Sequence, residues 1–492
     1  MSRLRSIRVR DGDSLFGQAS RALGWSLVNT VVGRLSTLAI GIVLARLLGP
    51  AEFGTFAVAM VALLAVLSFN ELGVSLAIVR WPGDPKEIAP TVATISLVSS
   101  GLIYLACFAG APAFAAAMGN PQAAPVVRLL ALNVLVSGAV AAPAAMLQRY
   151  FRQDRKAVAD QVNNWLGALV SIALALAGWG AMSLAVGRLA GAAGSALLYI
   201  GFAPGGLRLG FDRSVARRLL RFGLPLAGSS IVVFLVANLD QFVVGHLLGA
   251  TALGFYVLAF NLSNWPVSVF SQPVRSVAPA AFARLQHDPP ALRGAFTSTA
   301  GLLVAVTVPV CLLLAGAAGP LVRFVYGPVW EPAASALVWL AVFGALRIAY
   351  ELVYDYFVVL ACSRVVFTVQ VIWLVLLAPA LVVAVRAYGF AGAGVAHVAV
   401  AVLVVLPIYL RELRRVGVGA LGLAASVAPG VAGGLLAGLA AALIAWLIRI
   451  DVVALLLAGS VTLAVVGALV YLKRGALRGL RGAGAVAAEA AT

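Results

Sequence analysis

Acidic side chains, histidine and cysteine are scarce in this chain of 492 residues, which has 17 Asp and Glu, three His and three Cys. The cysteines, Cys107, Cys311 and Cys362, lie in or beside apolar runs with no CxxC spacing. That excludes a disulfide framework and a cysteine zinc site, and leaves them as small buried hydrophobes. There is no Walker A loop, no nucleophile elbow, no HExxH and no carboxylate pair on a loop. The chain therefore reads as no enzyme, with no catalytic residue, no metal and no cofactor. Lacking a nucleotide site, it does not read as a primary pump. Charged residues are only 11% of the chain, against roughly 25% in an ordinary soluble domain.

What is abundant is apolar surface. Hydrophobic residues make up 63% of the chain and the mean hydropathy is +1.05. Disorder is excluded by that composition, and a soluble domain could not hide so many apolar side chains. The formal charge is nevertheless +18, from 35 Lys and Arg. The basic residues occur in small groups between long apolar runs and form no stripe with interleaved aromatics, so no nucleic-acid partner is expected. The class is an all-α polytopic membrane protein. Residues 1–21 are Arg-rich and polar, and the first apolar run continues for a full span, so no cleavable signal is expected.

A bilayer core needs about 20 helical residues. Runs of that kind occur at 23–45, 54–79, 91–116, 125–147, 157–178, 180–202, 219–246, 253–278, 295–318, 333–358, 364–386, 390–410, 424–447 and 452–472. With a cytoplasmic N-terminus, 27 of the 35 basic residues fall on the inner side, five fall outside, and Arg34, Arg188 and Arg347 fall within spans. This split obeys the positive-inside rule and places both termini in the cytoplasm. The outer loops are too short for a catalytic domain.

The stretch Arg46-Leu47-Leu48-Gly49 through Gly54 recurs without a gap at His246-Leu247-Leu248-Gly249 through Gly254, an offset of 200 residues. Six spans separate the copies, so the halves run the same way through the membrane, as in the parallel repeats of secondary transporters. The expected organisation is a basic N-terminus at 1–22, a six-helix lobe at 23–202, a linker at 203–218 and a second six-helix lobe at 219–410. A loop with two added helices at 411–472 and a tail at 473–492 complete it. Gly187-x3-Gly191 and Gly430-x3-Gly434-x3-Gly438 suit close helix contacts.

Ionisable groups within the spans are costly, about 2.5–3.5 kcal/mol on insertion scales, and so face protein or water. Arg347, Glu351 and Asp355 stand at i, i+4 and i+8 and share one helix face, where they line a cavity or pair within the bundle. Arg34 suits an anionic ligand, since a guanidinium offers two parallel donors and stays charged when desolvated, or it pairs with Glu71. Asp240 either binds a coupling cation or proton or anchors the second lobe. His397 reads as a polar contact of the bundle.

The run Leu44-Ala45-Arg46-Leu47-Leu48-Gly49-Pro50-Ala51-Glu52-Phe53-Gly54, followed by Glu71-Leu72-Gly73-Val74-Ser75, resembles the amino-terminal pattern of bacterial oligosaccharide flippases. The Wzx branch, which includes colanic acid and teichuronic acid exporters, is the most similar. Asp240 through Gly249, Arg284-Leu285-Gln286, and Phe324-Val325-Tyr326-Gly327 with Trp330-Glu331-Pro332 resemble that family's second half. Glu71 departs from it, since the family more often has Asp there.

The resemblance implies the multidrug/oligosaccharidyl-lipid/polysaccharide exporter fold. It also implies flipping of a polyprenyl-diphosphate-linked oligosaccharide, with the lobes rocking around a central cavity. Arg34 and Arg347 would hold the diphosphate. Asn29, Asn70, Asn238 and Gln241 would face sugar hydroxyls, with Glu71 also in the cavity set. Asp240, Glu351 or Asp355 would carry the coupling ion. Membrane lipids and the polysaccharide synthesis machinery are the expected partners. The competing readings are a cation-coupled multidrug or metabolite antiporter of the same fold, a membrane-embedded glycan polymerase, and a scaffold without transport.

Overall fold

The computed structural model describes the backbone of residues 15–70 and 74–474. The side chains of 15–32, 34–36, 69, 70, 74, 76, 220, 222–233, 235, 236, 273, 276, 277 and 280 lie outside the described set. The described chain is helical from end to end. The elements are α1 (Leu15–Asn70), α2 (Val74–Arg80), α3 (Pro85–Ala117), α4 (Ala124–Arg149), α5 (Gln153–Leu176), α6 (Ala181–Phe202) and α7 (Arg213–Pro266). They continue as α8 (Gln272–Arg284), α9 (Pro289–Gly316), α10 (Ala318–Tyr326), α11 (Ala333–Val359) and α12 (Ser363–Tyr388). The last are α13 (Ala391–Val400), α14 (Leu406–Arg415), α15 (Ala420–Leu447) and α16 (Asp451–Leu472). Eleven candidate spans among these helices are long and apolar enough to cross a membrane, which makes the chain a multi-pass membrane protein.

The two candidate spans Thr37–Ser68 and Ala237–Ser271 each contain a glycine break and include parts of two of the expected spans. α5 is not among the eleven: Asp154, Arg155, Lys156 and Asp160, with Gln161, Asn163 and Asn164, make its first half too polar. Between the expected spans 295–318 and 333–358 stand most of α10 and a 3-10 turn at Pro328–Trp330. Nine residues are too few to register as a span, and Gly327, at φ 100°, ends the helix.

The breaks repeat through the chain. Gly49 has φ 72° and ψ 175°, and Gly249 has φ 81° and ψ −179°. That region is essentially closed to residues with a Cβ, which is why both copies keep glycine there. Other turns pair at a similar offset: Gly119 with Gly327, Phe151 with Ala361, and Gly180 with Gly389, all at positive φ. The likeness between the halves thus extends through turns whose sequences have diverged.

Two compact units divide the chain at residues 238 and 239, within α7. In the first, Ala59, Ala62 and Leu63 of α1 pack with Ala111 of α3, Val127 and Leu130 of α4, and Ala181 and Ala185 of α6. Within the expected linker, residues 210 and 212 are tied to α3. Thr94 Oγ1 donates to the Gly210 carbonyl at 2.8 Å, and the Asp212 N–H donates to Thr91 Oγ1 at 3.1 Å. Arg149 closes the end of α2 by donating to the Val79 and Trp81 carbonyls at 2.9 and 3.1 Å.

In the second unit, small residues let helices approach where lipid would compete equally for bulky ones. A Cβ on Gly430, Gly434 or Gly438 of α15 would fall 2.8, 2.6 and 2.9 Å from Ala305, Val308 and Leu312 of α9. On the predicted outer side, Arg323 binds both Asp451 and Glu331 at 2.7 Å, which fixes the start of α16 to α10.

Candidate functional site

α11 carries the charged face that its sequence spacing requires, and it meets a break in the neighbouring helix. After Pro266, residues Val267–Ser271 widen into a π turn. Such turns recur at functional sites because they re-aim side chains that a regular helix would hide. This one directs Ser271 to Glu351, whose Oε2 accepts a short hydrogen bond from Ser271 Oγ. From one turn earlier, Asn264 Oδ1 accepts from Arg347 Nη1 at 2.9 Å. Arg347 Nε donates to Glu351 Oε1 at 3.2 Å. Arg275, at the start of α8, places Nη1 3.8 Å from Glu351 Oε2 and donates from Nε to Asp355 Oδ2 at 3.0 Å. Its guanidinium also lies 5.9 Å from the centre of the Tyr354 ring.

The result is an alternating chain, Arg347–Glu351–Arg275–Asp355. Exposure within it is uneven. The arginine side chains are 38% and 40% exposed, the carboxylates 18% and 9%. The negative groups form the less exposed base and the positive groups the more accessible surface. Nη2 of Arg347 has no partner among the described residues. The site can therefore offer guanidinium N–H groups to an anion without leaving a bare carboxylate in the membrane.

A second polar centre lies deeper. Asp240 of α7 is 3% exposed. Its Oδ2 accepts from Tyr256 OH at 2.5 Å and faces His397 Nε2 of α13 at 3.4 Å, while its Oδ1 accepts from the Gln241 N–H at 2.8 Å. His397 stacks on Phe343 of α11, ring centres 4.5 Å apart, and its Nδ1 is buried without a hydrogen-bond partner among the described residues. A π turn at Ala401–Val405 follows, and Tyr350 OH donates to the Ala401 carbonyl at 2.8 Å.

Of the residues singled out from sequence, Arg347, Glu351 and Asp355 come together, and Asp240 stands in the second centre. Gln241 touches that centre only through its backbone N–H, and Asn238 turns its amide onto the Phe234 carbonyl of its own helix at 3.0 Å. Glu71 and the side chains of Asn29, Arg34 and Asn70 lie outside the described residues. Gly33, next to Arg34, packs toward Asn164 and Gln161 of α5, with 3.6 Å from its added Cβ to Asn164 Nδ2. Arg188 is exposed on α6. Sequence reading passed over Arg275, Asn264, Ser271 and Tyr256. Arg275, at the inner end of the expected span 253–278, groups in sequence with the inner-side cations. A signal was available in Pro266 and Pro273, which flank the π turn and mark a helix that must break there.

The model of the polysaccharide biosynthesis protein family matches residues 43–335. The chain belongs to that family. The succinoglycan biosynthesis transport protein ExoT of Rhizobium meliloti (strain 1021) is 28% identical over 334 residues, 65% of each chain. The lipopolysaccharide biosynthesis protein WzxC of Escherichia coli (strain K12) is 27% identical over 329 residues, 66% of each. The matches thus span just under two thirds of these relatives' own lengths. Among solved structures, the lipid II flippase MurJ in an inward closed conformation superposes with a TM-score of 0.70 at 14% identity, covering 89% of this chain and 98% of its own. That likeness shows the exporter fold, and the family match agrees with the resemblance carried by the Gly49 and Gly249 turns.

Proposed function

We propose that this chain is a flippase of the bacterial plasma membrane, with both termini cytoplasmic, that moves a polyprenyl-diphosphate-linked oligosaccharide to the outer leaflet by alternating access. The observation that carries this reading is the pair of half-exposed guanidiniums, Arg347 and Arg275, raised on the less exposed Glu351 and the buried Asp355 inside membrane helices. A diphosphate presents oxygens in the geometry that guanidinium forks match, and it needs neutralising when it leaves water. A cationic drug would need the opposite arrangement, accessible carboxylates over buried bases, so the geometry disfavours the antiporter reading. The names of the relatives, which concern succinoglycan transport and lipopolysaccharide biosynthesis, point to the same cargo class. The polysaccharide synthesis machinery is then the source and sink of the cargo, and the chain supplies transport, not catalysis.

In this reading Glu351 and Asp355 support the arginines, and Asp240 holds the coupling ion. Among the described carboxylates within the spans of the second unit, Asp240 is the one with no arginine partner. The buried Nδ1 of His397 beside it has no hydrogen-bond partner among the described residues. The test is a deletion strain in which lipid-linked intermediates are assayed by leaflet. Accumulation on the cytoplasmic side, rescued by the native chain but not by Arg347→Ala, supports the proposal. Normal export in the deletion strain would sink it.

A further inference from the structure

The basic residues that follow the second polar centre are not scattered. α14 ends the candidate span Ala391–Arg415, so its last turn stands where a bilayer's headgroups begin. Its inner face is core, with Tyr409 and Leu413 each 2% exposed. Its other face borders a cavity of about 540 Å³ lined by Pro407, Leu410, Arg411, Arg414 and Arg415. Residues 407, 410, 411 and 414 repeat at helical spacing, so apolar and basic groups succeed one another along one stripe. From Pro407 to Arg414 the helix rises roughly 10 Å. Over that length the lining changes from apolar to cationic, as a phospholipid changes from acyl chain to phosphate.

The charges are available. Arg415 pairs with Glu412 at 2.7 Å. Arg411 and Arg414 have no carboxylate or carbonyl partner among the described residues, so they are not spent on the carbonyls that end the helix. Beyond the last turn, the Arg293 guanidinium packs against Gly417 and keeps the neighbourhood cationic. The face is an open depression, and what sets it apart from a solvated basic face is the apolar floor of Pro407 and Leu410 beside the two arginines.

We infer that this cavity binds the phosphate of an anionic glycerophospholipid, held by Arg411 and Arg414 with the upper acyl chain along Leu410 and Pro407. The site is separate from the Arg347–Arg275 cluster and does not depend on the cargo assigned to it. Basic pockets at the ends of membrane helices take anionic headgroups through the same combination of Coulomb attraction and guanidinium donors.

The test uses the full chain purified in detergent, titrated with phosphatidylglycerol or phosphatidylcholine and read by native mass spectrometry. Phosphatidylglycerol should be retained in preference to phosphatidylcholine. Joint Arg411→Gln and Arg414→Gln replacement should weaken that retention roughly thirtyfold. Arg284→Gln, removing an exposed cation at the end of α8, should leave it unchanged. Each single replacement, read separately, keeps the test decisive if the double variant does not fold. Equal retention in the variants and the native chain would overturn the inference. So would displacement of phosphatidylglycerol by equimolar farnesyl diphosphate, which would make the cavity a site for the lipid carrier instead.

Discussion

Arg275 of α8 reaches Asp355 of α11 with two hydrogen bonds, Nε to Oδ2 at 3.0 Å and Nη2 to Oδ1 at 3.3 Å, across 80 residues of chain. Asp355 is nearly buried and Arg275 is not, so the two ends of the pair have unequal alternatives. Losing the arginine leaves a carboxylate stranded in the bundle, whereas losing the carboxylate frees an arginine that water can reach.

Arg275→Gln should therefore destabilise the protein by about 2 kcal/mol, and Asp355→Asn by clearly less. The double replacement should recover much of the loss, since neither charge then lacks a partner. Thermal unfolding followed by size-exclusion fluorescence in detergent would measure all three. Additive losses would show that the pair is not coupled.

Arg347 separates cargo binding from support. Arg347→Lys keeps the charge but loses the fork that spans Asn264 and Glu351. Export of lipid-linked oligosaccharide should fall about tenfold or more, with stability nearly unchanged. Export at the native rate would place the anion elsewhere.

Parts of this site are legible in sequence and parts are not. The α11 stripe can be read because Arg347, Glu351 and Asp355 lie on one helix, where spacing alone puts them on one face. The turns at Gly49 and Gly249 can be read because one rare backbone conformation demands the same residue twice. Arg275 could not be assigned to the site, since its partners lie 76 and 80 residues away and nothing local separates it from a loop cation. The orientation of Ser271 and Asn264 depends on the π turn, whose place Pro266 and Pro273 mark but whose side-chain directions they do not. His397 and Asp240 are 157 residues apart, and only packing shows that they meet.

Coupling should follow that second pair. Asp240→Asn keeps the hydrogen bond from Tyr256 while removing ionisation, so the fold should persist and gradient-driven transport should stop. His397→Gln retains a polar contact but cannot take up a proton at a ring nitrogen. Transport in inverted vesicles under an imposed pH gradient should lose its dependence on that gradient in both variants. Retention in either would assign coupling to another group.

The start of α7 responds to pH for a separate reason. Hydrogen bonds from the Ser214 hydroxyl, then from the Val215 and Ser214 N–H groups, hold the exposed Asp212 carboxyl below the usual carboxylate range. A depressed folded-state value means that this stabilisation is present above the unfolded value, about 3.9. It is lost as pH falls through the folded value. Hydrogen exchange at Ser214 and Val215, corrected for intrinsic rates, should show protection near neutrality that weakens in acid. Asp212→Asn should remove the acid dependence.

The contact of α15 with α9 depends on atoms that are not there. Gly434 lies where a Cβ would come 2.6 Å from Val308 Cγ1 and 3.1 Å from the Pro309 nitrogen. The first neighbour is a side chain and has some freedom; the second is backbone in a packed helix and has little. Gly434→Ala should therefore cost about 1 kcal/mol and Gly434→Leu about 3 kcal/mol, since a larger group must part the two helices. In lipid the parted surfaces gain no hydrophobic penalty to drive them back, because acyl chains wet them as well as leucine does. The Arg323–Asp451 pair on the predicted outer side and the Lys473 hydrogen bond to the Ser426 carbonyl at 2.5 Å would still hold α16 and α15 near the bundle. Gly434→Leu should thus lower the unfolding temperature without releasing α15 and α16, and a cysteine cross-link designed between α9 and α15 should form more slowly in it than in the native chain. A cross-linking rate equal to the native one would show that the small residues do not set the approach.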